Sequence, residues 1–125
     1  SAIAKDSGLP FAIALKQRFG DRAVFVETPD VQVKGRNVVL IDDVASTGST
    51  LIEVVAKLRE QGAEKIDALV THPLFVENAV NKLLHSGISE IGSSDSIPHS
   101  TNVVFLAPVL AETIRNALDY NSTSD

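Results

Sequence analysis

Apolar residues along this chain fall in short unbroken runs, at residues 10–15, 37–41, 65–70 and 102–106, with a shorter run at 89–91. An alternating run marks a strand with one face in water. A continuous run marks a strand covered on both faces, as in a parallel sheet. Between the runs the period changes to that of a helix. Leu51, Ile52, Val54, Val55 and Leu58 form one stripe, which Gly62 ends. Val76, Ala79, Val80, Leu83 and Leu84 form a second, ended at Gly87, and Val109, Leu110, Ile114 and Leu118 a third, behind Pro108 in its first turn.

Strands alternating with helices predict an α/β fold, a three-layer, doubly wound and mainly parallel sheet with right-handed crossovers. Residues 1–120 read as one domain and 121–125, small and polar, as a disordered tail. One stretch resists this layering. Residues 17–34 carry Gly20, Asp21, Arg22, Thr28, Pro29 and Asp30 with little period. A loop of that length in a compact domain is functional or disordered, or a solvated hairpin in which Val24 and Val26 alternate.

Composition narrows the function. The 125 residues are 44% apolar, enough for a real core, and the net charge of −5 argues against a broad nucleic-acid surface or a basic membrane patch. No run approaches the roughly 20 apolar residues of a membrane helix, and no signal-peptide pattern opens the chain, so a cytoplasmic protein is expected. The absence of cysteine excludes disulfides and thiolate metal sites. One Tyr and five Phe are too few and too scattered for a base-stacking platform. With no methionine and a start at Ser1-Ala2-Ile3, either the start has been removed or the chain is a piece of something longer.

The most informative segment follows the strand at 37–41. Sheets of this kind bind ligands at the carboxyl ends of their strands, and Val38-Val39-Leu40-Ile41 delivers Asp42 and Asp43 there. The turn behind them, Val44 to Thr50, is small or hydroxylated, and a helix is expected from about Ser49. Such a turn offers backbone N–H groups at a positive helix end, which suits a phosphate dianion. Gly48 permits close approach, and Ser46, Thr47, Ser49 and Thr50 add hydroxyls. Two adjacent carboxylates repel phosphate. They suit vicinal hydroxyls, or a magnesium ion held through water. Phosphate at one end and a diol at the other describe a sugar phosphate. Plain helix capping would explain the hydroxyls but not the acids, and without Gly-Lys-Ser/Thr no Walker loop is present.

Residues 38–50, Val-Val-Leu-Ile-Asp-Asp-Val-Ala-Ser-Thr-Gly-Ser-Thr, resemble the phosphoribosyl-pyrophosphate (PRPP) motif of type I phosphoribosyltransferases and their relatives. The flanks point to one branch. Residues 9–18, Thr71-His72-Pro73-Leu74-Phe75, residues 94–98 and residues 106–114 are similar to segments of the ribose-phosphate pyrophosphokinase family, the PRPP synthetases. The likeness covers about residues 9–118.

That resemblance implies a magnesium-dependent transferase, a kinase of nucleotide biosynthesis, that moves diphosphate from ATP to the 1-hydroxyl of ribose 5-phosphate. It implies that Asp42 and Asp43 hold the ribose 2- and 3-hydroxyls and that Ser46, Thr47, Gly48, Ser49 and Thr50 wrap the 5-phosphate. Lys16 and Arg18 match the family's catalytic Lys and Arg, which close over the triphosphate, and Arg22 is a further cation of that kind. Ser46 stands where many synthetases have a third acid. The family enzyme has two similar domains and the chain resembles the second, so ATP contacts and part of the Mg2+ site are expected outside it. The isolated chain is expected to make no PRPP, and the full-length protein to be a homo-oligomer without nucleic acid or membrane partners. Two other functions compete. One is a phosphoribosyltransferase using PRPP, which would need a base-recognising hood not found here. The other is a non-catalytic regulatory relative, which would have no use for Lys16 and Arg18.

Of the histidines, His72 follows a strand at the ligand edge and could reach a substrate, but Pro73 follows it, and the preferred reading is a turn histidine satisfied by backbone. His85 sits in a helix's last turn, where a cation suits the dipole, and reads as structural. His99 reads as solvated. No pair of histidines has metal-ligand spacing on one helix face.

Overall fold

The computed structural model describes residues 6–15, 24–25 and 31–122. Its main sheet has four parallel strands in chain order: β3 (Asn37–Ala45), β4 (Lys65–Pro73), β5 (Ile91–Ser94) and β6 (Asn102–Val104). Helix α1 (Ser49–Glu60) joins β3 to β4, α2 (Ala79–His85) lies between β4 and β5, and α3 (Ala107–Ser122) follows β6. The expected α/β architecture on a mainly parallel sheet is the one that forms.

Register sorts the side chains. Val38 pairs with Ile66, Leu40 with Ala68 and Asp42 with Val70. Ile66, Ala68 and Val70 share one core with Leu51, Val54, Val55 and Leu58 of α1 and Leu83 of α2. Serial strands joined by crossovers of one hand place both connecting helices on the same face. The opposite face carries Val39, Ile41 and Val103, which are 58%, 53% and 61% exposed among the described residues. Continuous apolar runs therefore do form parallel strands, but only one face of them is covered within the described part.

The ends of the elements differ from the sequence expectation for physical reasons. The run at 10–15 contributes only β1 (Ala14–Leu15), antiparallel to β2 (Val24–Phe25). Pro10 has no N–H for a ladder, and pairing with a chain neighbour closes a short loop. Val24 thus lies in a two-stranded unit, as the hairpin reading required, although Val26 falls outside the described residues. β3 and β4 run on past their apolar runs, with Val44 opposite His72 and Ala45 opposite Pro73. A ladder is a backbone property and continues while its partner does. β6 stops at Val104, and the Leu106 N–H goes instead to Asp95 Oδ1 at 2.8 Å.

Helix α1 ends as its stripe implied, with Gln61 as cap, Gly62 at φ 88° and Ala63 N–H on Leu58 O. Arg59 then fastens the exit by donating to Ala63 O, Glu64 O and, at 2.6 Å, Gly87 O. The α2 stripe buries Ala79 and Leu83, while Val76 and Leu84 stay exposed. α3 carries Pro108 in its first turn as expected, and reaches Ser122, past the expected domain end at 120. Its stripe of Val109, Leu110, Ile114 and Leu118 is exposed.

Candidate functional site

At the carboxyl edge of the sheet, β3 ends at Ala45 and α1 begins four residues later at Ser49. Gly48 makes the turn, as N-cap of α1, with φ 75°. That conformation suits glycine, and Gly48 is also buried against α2, so that an added Cβ would stand 2.9 Å from Leu83 Cγ. Its carbonyl accepts the Ile52 N–H at 3.0 Å.

The hydroxyls do not cap the helix in the usual way. The N-cap residue is Gly48, which has no side chain to cap with, so the hydroxyls of the run lie on either side of the cap. Thr47 Oγ1 and Ser49 Oγ bond each other at 2.7 Å, and Ser49 N–H makes a long contact of 3.4 Å to Thr47 Oγ1. Ser46, Thr47 and Ser49 are exposed. The turn is held from behind by Val76 N–H donating to Ser46 O at 3.1 Å. Hydroxyls exposed at the positive end of a twelve-residue helix form a cradle suited to an anion.

Asp42 and Asp43 lie within the ladder of β3 rather than after it. Asp42 Oδ1 accepts the Asp43 N–H at 2.9 Å, and Asp43 Oδ1 the Val44 N–H at 2.8 Å. Burial pushes the Asp42 carboxyl above the ordinary aspartate range, and the hydrogen bond to Asp43 and its charge push the same way. Neither acid is in an ion pair among the described residues, and Asp43 is exposed. The pair keeps acceptor capacity for hydroxyl donors.

His72 stands one strand over, in register with Val44. Its Nδ1 bonds the Ser96 side chain at 2.8 Å, so the histidine is tied by a hydroxyl and not by backbone. Ser96 belongs to a connection between β5 and β6 that is rich in hydrogen bonds. Asn102 Nδ2 donates to Ser93 Oγ, Ser94 O and Ile97 O, and Asn102 Oδ1 accepts the His99 N–H. Ser93 Oγ and Thr101 Oγ1 bond each other at 2.8 Å, both buried. His99, expected in solvent, is half-buried. Its Nδ1 meets Thr101 Oγ1 at 2.9 Å and its ring lies 5.3 Å from that of Phe75. A shallow depression of about 360 Å³ borders these two rings, lined also by Glu77, Asn78 and Asn81. His85 is structural as expected, with Nδ1 against Asn81 O at 2.6 Å.

The structure thus brings Asp42, Asp43, the turn 46–50 and His72 to one edge. Lys16, Arg18 and Arg22 lie outside the described residues. Among the described residues no group of three or more His, Asp or Glu side chains is placed to hold a metal, and no helix is long and apolar enough to cross a membrane. Ser94, Ser96 and Asn102 are the residues that sequence reasoning did not single out for this edge. Their signal was available. Ser93-Ser94-Asp95-Ser96 is a second run of hydroxyls and acid at a strand end, like the run after β3.

Comparison with known proteins agrees with this fold. A family model, the phosphoribosyl synthetase-associated domain, matches residues 24–124. Ribose-phosphate pyrophosphokinases from Methanopyrus kandleri and Thermosipho africanus are 36% and 35% identical over 91% and 86% of this chain. That from Pyrococcus furiosus is 34% identical over 86% of it. The chain spans only 39%, 35% and 38% of the length of those three relatives. The crystal structure of phosphoribosylpyrophosphate synthetase from Mycobacterium smegmatis superposes with a TM-score of 0.70 at 30% identity, covering 94% of this chain and 40% of that one. With 24–124 matched by the family model and an acid pair feeding a glycine-started helix, the chain belongs to the phosphoribosyl synthetase-associated domain family.

Proposed function

We propose that this chain is the ribose 5-phosphate-binding part of a ribose-phosphate diphosphokinase, the enzyme that transfers diphosphate from ATP to the sugar's 1-hydroxyl. One observation carries the reading. A pair of carboxylates with spare acceptor capacity sits just ahead of a glycine-capped helix start lined by exposed hydroxyls. The turn of Ser46, Thr47, Gly48, Ser49 and Thr50 binds the 5-phosphate, and Asp42 and Asp43 accept the ribose hydroxyls.

Diphosphate transfer is catalysed mainly by positioning and by cations around the migrating charge. Lys16 and Arg18 supply those cations, with Arg22 as a further one. Mg2+ would neutralise phosphate oxygens when bound with substrate. Hard oxygen donors such as Asp42 and Asp43 fit it through water, and the remaining ligands come from outside the chain. Residues 1–120 act as one phosphoribosyltransferase-like domain of a two-domain, homo-oligomeric, cytoplasmic enzyme. The 39% of the Methanopyrus relative that this chain spans supports that division.

Calorimetric titration tests the reading. Ribose 5-phosphate should bind the chain and lose most of its affinity in Asp43→Ala, while ATP with ribose 5-phosphate should yield no PRPP from this chain alone. Absence of ribose 5-phosphate binding would overturn it.

A further inference from the structure

His72 sits in a set of hydrogen bonds that one placement of its proton satisfies best. The Thr71 carbonyl accepts two hydroxyls, Ser94 Oγ–H at 2.7 Å and Ser96 Oγ–H at 3.0 Å. A hydroxyl owns one proton. Having donated it to Thr71, Ser96 Oγ meets the imidazole as an acceptor, and His72 Nδ1, 2.8 Å away, carries the hydrogen. Were Nδ1 bare, Ser96 would have to abandon Thr71, leaving two acceptors 3.0 Å apart with no proton between them. In the neutral ring a hydrogen on Nδ1 leaves the Nε2 lone pair exposed as an acceptor.

The arrangement is held firmly. Ser96 N–H donates to Ser94 Oγ at 3.2 Å, and Asn102 Nδ2 pins Ser94 O and Ile97 O on either side of Ser96. His99 has the opposite tautomer, because Thr101 N–H donates to its Nδ1 at 3.2 Å. The two histidines therefore do not share a default state; each is set by its neighbours.

We propose that His72 Nε2 accepts a hydrogen bond from a hydroxyl of the bound sugar phosphate, and that Ser96 is the positioning residue that sets the tautomer. This rests on the sugar phosphate reading above and adds a recognition residue to the same site. His72 is exposed, lies opposite Val44 on the strand next to Asp42 and Asp43, and makes no hydrogen bond through Nε2 among the described residues. Two carboxylates and a bare imidazole nitrogen are all acceptors, the set a polyol requires. The neighbouring turn supplies the donors that phosphate requires. The ligand is thereby oriented, donors of the sugar against acceptors of the strand ends.

Two-bond proton–nitrogen spectra of the chain labelled at histidine, recorded where imidazoles are neutral, test this directly. His72 should show a protonated Nδ1 and a bare Nε2, and ribose 5-phosphate should shift the Nε2 resonance. His85, whose Nδ1 faces Asn81 O in the last turn of α2, has the same tautomer away from the edge and should not move. Inorganic phosphate, filling the turn alone, should leave His72 Nε2 unmoved. Ser96→Ala should release the tautomer and weaken ribose 5-phosphate binding roughly three- to tenfold, the worth of one neutral hydrogen bond, and Ser96→Thr should restore both. A protonated Nε2 in the unliganded chain overturns the proposal. So does an unmoved Nε2 when ribose 5-phosphate binds in an Asp43-dependent way, an outcome that leaves the sugar phosphate reading standing. No binding at all removes both.

Discussion

Gly48 and Leu83 meet so closely that a single methyl group on the glycine would lie 2.9 Å from the leucine's branch carbon. Leu83 is fully buried, so it has no space to yield. Gly48→Ala therefore meets two costs, a left-handed backbone at φ 75° and an overpacked contact. We expect a loss of roughly 2–5 kcal/mol in denaturant unfolding, the sum of those two effects. Ribose 5-phosphate affinity should fall with it, because the turn must shift outward.

Gly92 gives the contrasting case. A Cβ there would come 2.7 Å from Val103 Cγ2, closer than at Gly48. Val103, however, is 61% exposed and can yield toward solvent, the next contact is the tip of Leu69 at 3.3 Å, and Gly92 has no left-handed φ. Gly92→Ala should cost less than about 1 kcal/mol, measured by the same unfolding titration. A cost equal to that of Gly48→Ala would show Val103 to be held.

Asp42 makes stability depend on pH in a direction opposite to that of an ion-paired acid. Its carboxyl is raised above the ordinary value of 3.8 by burial, then by Asp43. The folded chain consequently holds a proton that the unfolded chain has already released. Stability falls as pH rises from the ordinary aspartate value through the raised one, and stays lower at neutral pH. Asp42→Asn removes that fall. Its melting temperature should match the parent at acid pH and exceed it at pH near 7, while ribose 5-phosphate binding weakens. A melting series across pH checks both arms.

Much of this was legible in the sequence because it is local. The stripe Leu51, Val54, Val55, Leu58 and its stop at Gly62 depend on neighbours along the chain, and α1 follows them closely. The acid pair and the hydroxyl turn were readable for the same reason, since strand end, turn and helix start are consecutive. What escaped depends on partners outside the segment being read. β1 pairs antiparallel with β2, a choice the apolar run at 10–15 does not encode. Ser96 matters only because β5 lies beside β4, bringing its hydroxyl to His72 across 24 positions of sequence. His99 looked solvated because nothing nearby in sequence announces Phe75. The outer face of the sheet misled in another way, since unbroken valines and isoleucines imply cover without saying where it comes from.

Asn102 is the residue on which the β5–β6 connection depends most. Its amide reaches three acceptors and receives the His99 N–H. Asn102→Ala leaves those groups unsatisfied, partly buried, at a cost of roughly 2–4 kcal/mol. Asn102→Asp, which keeps the shape but lacks the donors, should be nearly as harmful. In both, the His72 tautomer should become mixed in the spectra, since Ser96 loses its anchor.

Because both connecting helices lie on one side of the sheet, the described residues divide into a covered half and a bare half. Gly48, Leu83, Ala45 and Val70 belong to the first, and Val39, Ile41 and Val103 to the second. Lysine or glutamate at Val39 or Val103 can therefore be introduced to improve handling in solution without touching the ligand edge. The same positions would carry a reporter dye that senses whatever settles on the bare face while the sugar phosphate is titrated at the strand ends.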